Sequence, residues 1–214
     1  MEERLQHLLI QLYLLESYWR LREVYSKHRL AEILISTNCV RFGEFILSSG
    51  AKSNVYVDMR KILSHPAEFM ELIRVYAKMV SNLNFDILAG VESGGISFAT
   101  ALGVELKKPI IYVRKESKNH GLKKLIEGDY REKDIALVVD DVSTTGSSIA
   151  RAVEALKSNH LIVYDAFVIV DREEGAREKL QQLNINLHCL ITLREILSMI
   201  SQQASIPHTN ETRG

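Results

Sequence analysis

A chain of 214 residues has room for one domain with a substantial core. Its 27 basic and 27 acidic residues balance, so no global field draws it to nucleic acid or anionic lipid, and neither is expected as a partner. Cys39 and Cys189 make neither a close metal-type pair nor a disulfide framework, which points to the reducing cytoplasm.

Leu5, Leu8, Leu9, Leu12, Leu15 and Trp19 recur in steps of three and four, so residues 3–27 read as an amphipathic helix. The apolar run 8–15 inside it follows Glu2 and Glu3 rather than a basic segment and lacks a small-residue cleavage site. It is also too short to span a bilayer, so neither a signal nor an anchor is expected. A second helix is predicted from Arg29 to Ser36. "RFGEFILSSGAKSNVYVD" (41–58) reads as two short strands joined by a Ser-Ser-Gly turn. His65–Pro66 then opens a helix to about Asn82, with proline at its first turn.

From there strands and helices alternate. "DILAG", "PIIYVR", "IALVVD", "LIVYDAFVIVD" and "LHCLIT" are predicted strands. Helices are predicted over 95–107, 146–158, 173–183 and 193–203, with a polar connector at 114–134. Near-continuous apolar strands alternating with helices imply a parallel sheet covered on both faces. Residues 204–214 show no apolar periodicity and read as a flexible tail.

One junction carries more than punctuation. In "ALVVDDVSTTGSSIARAV" (136–153) an apolar strand is predicted to end at two acids, before a hydroxyl-rich turn and a helix. Gly146 permits close backbone approach, hydroxyls donate, and a helix N-terminus offers free N–H groups, which together suit a phosphate. The same residues in isolation also suit a simple helix cap after a solvated strand end. Ligands of open parallel sheets bind beyond the carboxyl ends of the strands. "GVESGG" (90–95), "RKESKNHG" (114–121), "DDVSTTGSS" (140–148) and "DREEGA" (171–176) all follow predicted strands. All are polar, charged or glycine-bearing, and their convergence on one edge favours a ligand site.

These motifs, with "FGEFILSSGAKSNVYVD", resemble those of the type I phosphoribosyltransferases and, within them, the orotate phosphoribosyltransferases, in the expected order over roughly 30–200. The resemblance implies an α/β fold with a central parallel sheet flanked by helices and a small N-terminal hood. It divides the chain into a helical extension (1–28) and a catalytic domain (29–203), the latter made of a hood (29–65) and a core (66–203). The implied reaction joins orotate to the ribose 5-phosphate of phosphoribosyl pyrophosphate, giving orotidine 5'-monophosphate and pyrophosphate in pyrimidine synthesis.

Its site residues carry over position by position. Ser143, Thr144, Thr145, Gly146, Ser147 and Ser148 would cradle the 5'-phosphate, with Val142 also binding phosphoribosyl pyrophosphate, and Asp140 and Asp141 would take the ribose hydroxyls and face the oxocarbenium-like transition state. Glu92, Ser93, Gly94 and Gly95 would form the second pyrophosphate-side loop, although glycines there also suit helix packing. Arg114, Lys115, Lys118 and His120 would meet the pyrophosphate, Lys118 as a catalytic residue. Lys118 and His120 would act on the neighbouring subunit of a homodimer. Arg172, Thr144 and Lys52 would recognise orotate, Arg172 by paired N–H donors to its carboxylate. Mg²⁺ would arrive on the pyrophosphate, with no dedicated protein metal site.

No side chain stands out as a general base, and an orotate anion needs none. Two other readings share the fold. A regulator with an N-terminal helix-turn-helix would need a clear turn and a basic face that 1–28 lacks. A purine phosphoribosyltransferase would keep 140–148 but lack the combined "RKExKxHG" and "SGxKS" pattern. No room remains within these residues for a second, barrel-sized decarboxylase domain.

Overall fold

The computed structural model describes residues 27–46, 52–116 and 125–204. The predicted helix at 3–27, the Ser-Ser-Gly turn, Lys118, His120 and the tail beyond 204 lie outside the described residues, apart from the last residue of that first helix. Helix α1 (27–36) leads into a two-stranded antiparallel hairpin, β1 (Val40–Ile46) and β2 (Lys52–Val57), as expected of the hood. A 3₁₀ turn over Met59–Ser64 follows, which periodicity did not reveal. Asp58 caps it by accepting the Arg60 N–H at 3.2 Å. Then come α2 (Pro66–Val80), β3 (Ile87–Val91), α3 (Gly94–Leu106), β4 (Ile110–Val113) and β5 (Ile126–Glu127). The chain continues through β6 (Ala136–Ser143), α4 (Ser147–Ser158), β7 (Asp165–Asp171), α5 (Ala176–Gln181), β8 (Asn186–Thr192) and α6 (Leu193–Ala204).

The six-stranded sheet has the order β5-β4-β3-β6-β7-β8. Its five longer strands are parallel, but β5 pairs antiparallel with β4 through Tyr112↔Glu127 and Val113↔Ile126. The sheet is therefore mixed, and the 114–134 segment returns to its edge rather than merely connecting.

Alternation along the strands builds two cores. Leu137 and Val139 of β6 and Phe167 and Ile169 of β7 face a layer that includes Leu72, Tyr76, Phe98 and Leu102. Ala136, Val138, Ala166 and Val168 point the other way, onto Ile149, Val153 and Leu156 of α4 and Leu180 of α5. Fully burying one such large apolar side chain contributes about 1.5–3 kcal/mol. Tyr76 sits in the first core with its ring 4.5 Å from that of Phe167, and its hydroxyl donates to the Phe167 carbonyl at 3.1 Å. Among the described residues no helix is long and apolar enough to cross a membrane.

β3 and β6 are neighbours, yet the chain builds outward from them in opposite directions, to β4 on one side and to β7 and β8 on the other. That reversal opens a crevice at their carboxyl ends, where α/β sheets bind ligands.

Candidate active site

β6 does not stop at the acid pair, as the sequence pattern suggested; it runs through Asp140, Asp141 and Val142 to Ser143. Its pairing with β3 reaches only Gly90↔Val139, whereas its pairing with β7 continues to Ser143↔Asp171. The two acids thus ride on a strand that outreaches β3, at the crevice.

Their neighbours across it are Gly94 and Gly95, opening α3. A methyl group on Gly94 would overlap the Asp141 carboxylate, and one on Gly95 would overlap the Val139 carbonyl oxygen. These glycines allow a helix start to lie against the acid pair, so their packing and ligand-approach roles coincide. The Gly95 backbone N–H donates to Asp140. Along β6, the Asp141 N–H donates to Asp140 Oδ1 at 2.9 Å and the Val142 N–H to Asp141 Oδ1 at 3.0 Å.

Asp140 is buried, and burial pushes its carboxyl well above the usual carboxylate range, with the charge of Asp141 adding to the rise. Burial also raises Asp141, opposed by hydrogen bonds from Asp140 and the Val142 N–H and by the positive charge of Arg60. Arg60 comes from the hood, where its Nε donates to Asp58 Oδ1 at 2.7 Å.

Beyond the pair, Asp140 and residues 142–149 line a cavity of about 150 Å³. Gly146 stands at φ 73°, a left-handed conformation that suits glycine, and a methyl there would sit 3.1 Å from the Ala176 Cα. It starts α4 with no side-chain cap and no acid in the first turn, leaving backbone N–H groups available for an anion. The hydroxyls divide. Ser143 is buried and donates to Asp171 Oδ1 at 2.8 Å, so this hydroxyl is committed to the sheet. Thr144 is exposed, and the Thr145 and Ser147 hydroxyls lie 3.0 Å apart.

On the other side of α4, Val91, Glu92, Arg114, Lys115, Ser148 and Arg151 surround a smaller cavity of about 30 Å³. Glu92 Oε2 accepts the Lys115 N–H at 2.7 Å and ties the β3 loop to the β4 loop. That bond gives Glu92 a structural job, whereas its carboxylate would repel a pyrophosphate. Arg114 forms an ion pair with Glu127 of β5 at 3.5 Å. Ser93 begins α3 without a side-chain cap hydrogen bond.

The Arg172 N–H donates to the Ser143 carbonyl at 3.0 Å, which sets Arg172 beside the start of the 144–148 loop. Its side chain is 10% exposed and its Nε donates to Glu174 at 2.7 Å. Among the described residues its two terminal nitrogens have no partner, which leaves the paired-donor end of the guanidinium open to a carboxylate. The buried acid before it, Asp171, pairs not with Arg172 but with Arg177, Nε to Oδ2 at 2.8 Å. Lys52 is paired in register with Ile46 on the hood and makes no hydrogen bond or ion pair with the edge residues among the described residues.

Three cations escaped sequence reasoning: Arg60, Arg151 and Lys179. Arg151 lies three residues after Ser148 on α4 and donates to its hydroxyl at 3.3 Å, so helical spacing could have found it. Arg60 and Lys179 meet the site only through tertiary packing. Among the described residues no group of three or more His, Cys, Asp or Glu side chains is arranged to hold a metal ion.

The crevice, the acid pair and the hydroxyl-and-amide cradle have the form of a sugar-phosphate site, and similarity to known proteins agrees in class. The family model of the phosphoribosyl transferase domain matches residues 58–187. An orotate phosphoribosyltransferase of Methanocaldococcus jannaschii is 42% identical over 173 residues, covering 80% of this chain and 97% of that protein. The solved orotate phosphoribosyltransferase of Aeropyrum pernix is 39% identical with a TM-score of 0.74, over 81% of this chain and 98% of that one. The bifunctional enzyme PyrF/PyrE of a Nostoc species is 40% identical over 84% of this chain, which spans only 38% of that longer protein. The chain belongs to the phosphoribosyltransferase family, on its orotate phosphoribosyltransferase branch.

Proposed function

We propose that the protein transfers the ribosyl 5-phosphate of 5-phosphoribosyl 1-pyrophosphate to N1 of orotate, forming orotidine 5'-monophosphate and pyrophosphate in pyrimidine synthesis. One observation carries the reading: two adjacent carboxylates, Asp140 buried and Asp141 half-buried, stand at the switch point, and Asp140 lines the cavity that holds the anion cradle. The bond from the anomeric carbon to the pyrophosphate oxygen breaks, its electron pair leaving with that oxygen. N1 of the orotate anion supplies the pair for the new C–N bond. Asp140 and Asp141 accept hydrogen bonds from the ribose hydroxyls and favour the positive charge that builds on the sugar. They need no reorganisation to do so, because Gly94, Gly95 and the β6 N–H groups already hold them.

The residues divide the remaining work. Amides and hydroxyls of 144–148 hold the 5'-phosphate. Arg114, Lys115 and the loop that Gly94 and Gly95 let approach closely receive the pyrophosphate, joined by Lys118 and His120 from the neighbouring subunit of a homodimer. Arg172 reads the orotate carboxylate and Thr144 its ring; Lys52 approaches from the hood. Mg²⁺ commonly keeps several waters and binds substrate phosphates, so it would arrive on the pyrophosphate, with no metal-holding cluster among the described residues. When bound, it would neutralise charge on the leaving pyrophosphate. The free thiols of Cys39 and Cys189 support a cytoplasmic setting. The catalytic domain is taken as 29–203, with 1–28 as an added extension.

The test is loss of orotate absorbance with phosphoribosyl pyrophosphate and Mg²⁺, run beside adenine, hypoxanthine and uracil. Turnover of orotate alone is expected. Turnover of a purine instead, or binding of phosphoribosyl pyrophosphate with no base consumed, would overturn the reading.

A further inference from the structure

Lys179 lies outside every motif that marks the site, yet α5 carries it to the phosphate cradle. Its Nζ donates to Ser147 Oγ at 2.6 Å, and that oxygen is 3.0 Å from Thr145 Oγ1. The approach is fixed by packing, since Ala176 of α5 lies directly against Gly146. Lys179 is exposed, so water screens its charge, but among the described residues nothing in its immediate surroundings balances that charge. Ser147 is the first residue of α4, whose N-terminus already carries the positive end of the helix dipole. A cation there gains nothing from the dipole, whereas an anion in the adjoining cavity would be attracted by both. Among the described residues Lys179 forms no ion pair with a carboxylate, and the first turn of α4 holds no acid. The acid lining the cavity, Asp140, accepts the Asp141 N–H and forms no ion pair with Lys179 among the described residues. Arg151 adds a second positive charge, but its contact is with Ser148, on the side of the smaller cavity.

We infer that Lys179 is a binding residue for the substrate's 5'-phosphate, contributing a mobile ammonium to a cradle otherwise built from neutral donors. This rests on the proposed reading of the 144–148 loop as the 5'-phosphate site. In the free protein the Ser147 hydroxyl parks the ammonium beside the cavity; on binding, the lysine turns to a phosphate oxygen and releases the serine as a further donor. A lysine suits this as a point charge on a flexible stem.

The experiment measures calorimetric binding of ribose 5-phosphate and, separately, of pyrophosphate with Mg²⁺ to the full chain. Native protein is compared with Lys179→Met and Lys179→Arg. Losing one charge-assisted contact should weaken ribose 5-phosphate about tenfold in Lys179→Met and flatten its salt dependence. Pyrophosphate affinity should stay within about twofold, and Lys179→Arg should recover most of the loss, by the same charge argument. Unchanged ribose 5-phosphate affinity in Lys179→Met, equal loss for both ligands, or no binding of ribose 5-phosphate by native protein would each overturn the inference. Should Lys179→Met not fold by circular dichroism, Lys179→Gln takes its place with the same expectations. A Lys179-dependent ribose 5-phosphate site in a protein that does not consume orotate would leave this inference standing and remove the orotate reading.

Discussion

Two neighbouring strands carry acids near their carboxyl ends, and the acids are treated in opposite ways. Asp171, closing β7, is fully buried and surrounded by partners. Its Oδ1 accepts from the Ser143 hydroxyl at 2.8 Å and the Glu173 N–H at 3.0 Å, while Oδ2 makes no hydrogen bond among the described residues but faces the Arg177 cation, with Nε at 2.8 Å. Asp140 and Asp141, one strand away, receive backbone N–H groups and each other, with no cation in ion-pair contact among the described residues. Buried carboxylates without a counter-ion are destabilising, and a fold keeps them only where something else arrives to use them. Asp171 holds the loop together; the β6 pair waits for charge.

The largest effect that would break this contrast is on turnover. Replacing Asp140 and Asp141 together by Asn should lower kcat by on the order of 10²–10³, since preorganised groups facing a developing charge are worth that much. The Michaelis constant for phosphoribosyl pyrophosphate should change far less. Melting temperature should hold or rise, because an uncompensated charge has been removed. Steady-state kinetics and a thermal melt check both halves, and near-normal kcat would end the catalytic assignment.

How much of this was legible follows the range of the interactions. The alternating apolar runs gave the strands and helices, and the carboxyl ends of the parallel strands β3, β4, β6 and β7 do share one edge. Asp140, Asp141 and Gly146 stood out because their chemistry is local: adjacent acids and a glycine that needs a left-handed turn. The β3–β6 switch point did not, because strand order depends on pairing between distant segments. β5 is two residues in a polar connector, too short for any period to register. The Ser143 hydroxyl looked like a phosphate donor among its neighbours, but a partner 28 residues away claims it. Lys179 had no local signal at all, since only the docking of α5 on Gly146 brings it in.

The second effect falls on the other member of the comparison. Asp171→Ala leaves the buried Ser143 hydroxyl without its acceptor and the Arg177 guanidinium without its counter-ion. The cost should be about 3 kcal/mol, moderated because Arg177 is half exposed and can turn to water. For a domain of this size that is a fall in Tm of about 6–12 °C. Differential scanning calorimetry would measure it, and a Tm within a degree of native would show that Asp171 is as poorly compensated as its neighbours.

A third measurement separates the acids by pH. Asp140 has an ordinary value of 3.8 and is raised in the folded state. Above 3.8 the unfolded chain releases this proton while the folded chain keeps it, so the folded state binds more protons there. Stability from this group therefore falls as pH rises, from the ordinary value up to the raised native one, with a limiting slope of about 1.4 kcal/mol per pH unit. Asp58, lowered chiefly by its hydrogen bond from Arg60, acts in the reverse sense: its stabilisation is present above its ordinary value and is lost as pH falls. Denaturant melts of native and Asp140→Asn protein across this range isolate the raised group, because Asp58 is common to both. Parallel pH curves for the two proteins would mean that Asp140 ionises normally.

The smallest effect tests whether the hood tunes the pair. Arg60 is the cation that lowers Asp141 against the pull of burial, acting through space while its Nε is held by Asp58. Its side chain is 60% exposed, so water screens much of that influence. Arg60→Gln keeps a side chain of similar reach and removes the charge. Asp141 should then ionise at higher pH, and the acid limb of the pH–kcat profile should move in that direction. At a fixed pH on that limb, kcat should fall about two- to fivefold, the range expected of a pair worth less than about 1 kcal/mol. At pH values well above the limb the two proteins should converge, because both then hold the acid ionised. Arg60→Lys should stay near the native profile, since a charge rather than a fork is required. A loss in Arg60→Gln that is equal at every pH would instead place Arg60 in substrate binding, and the contrast between the β6 pair and Asp171 would then rest on burial alone.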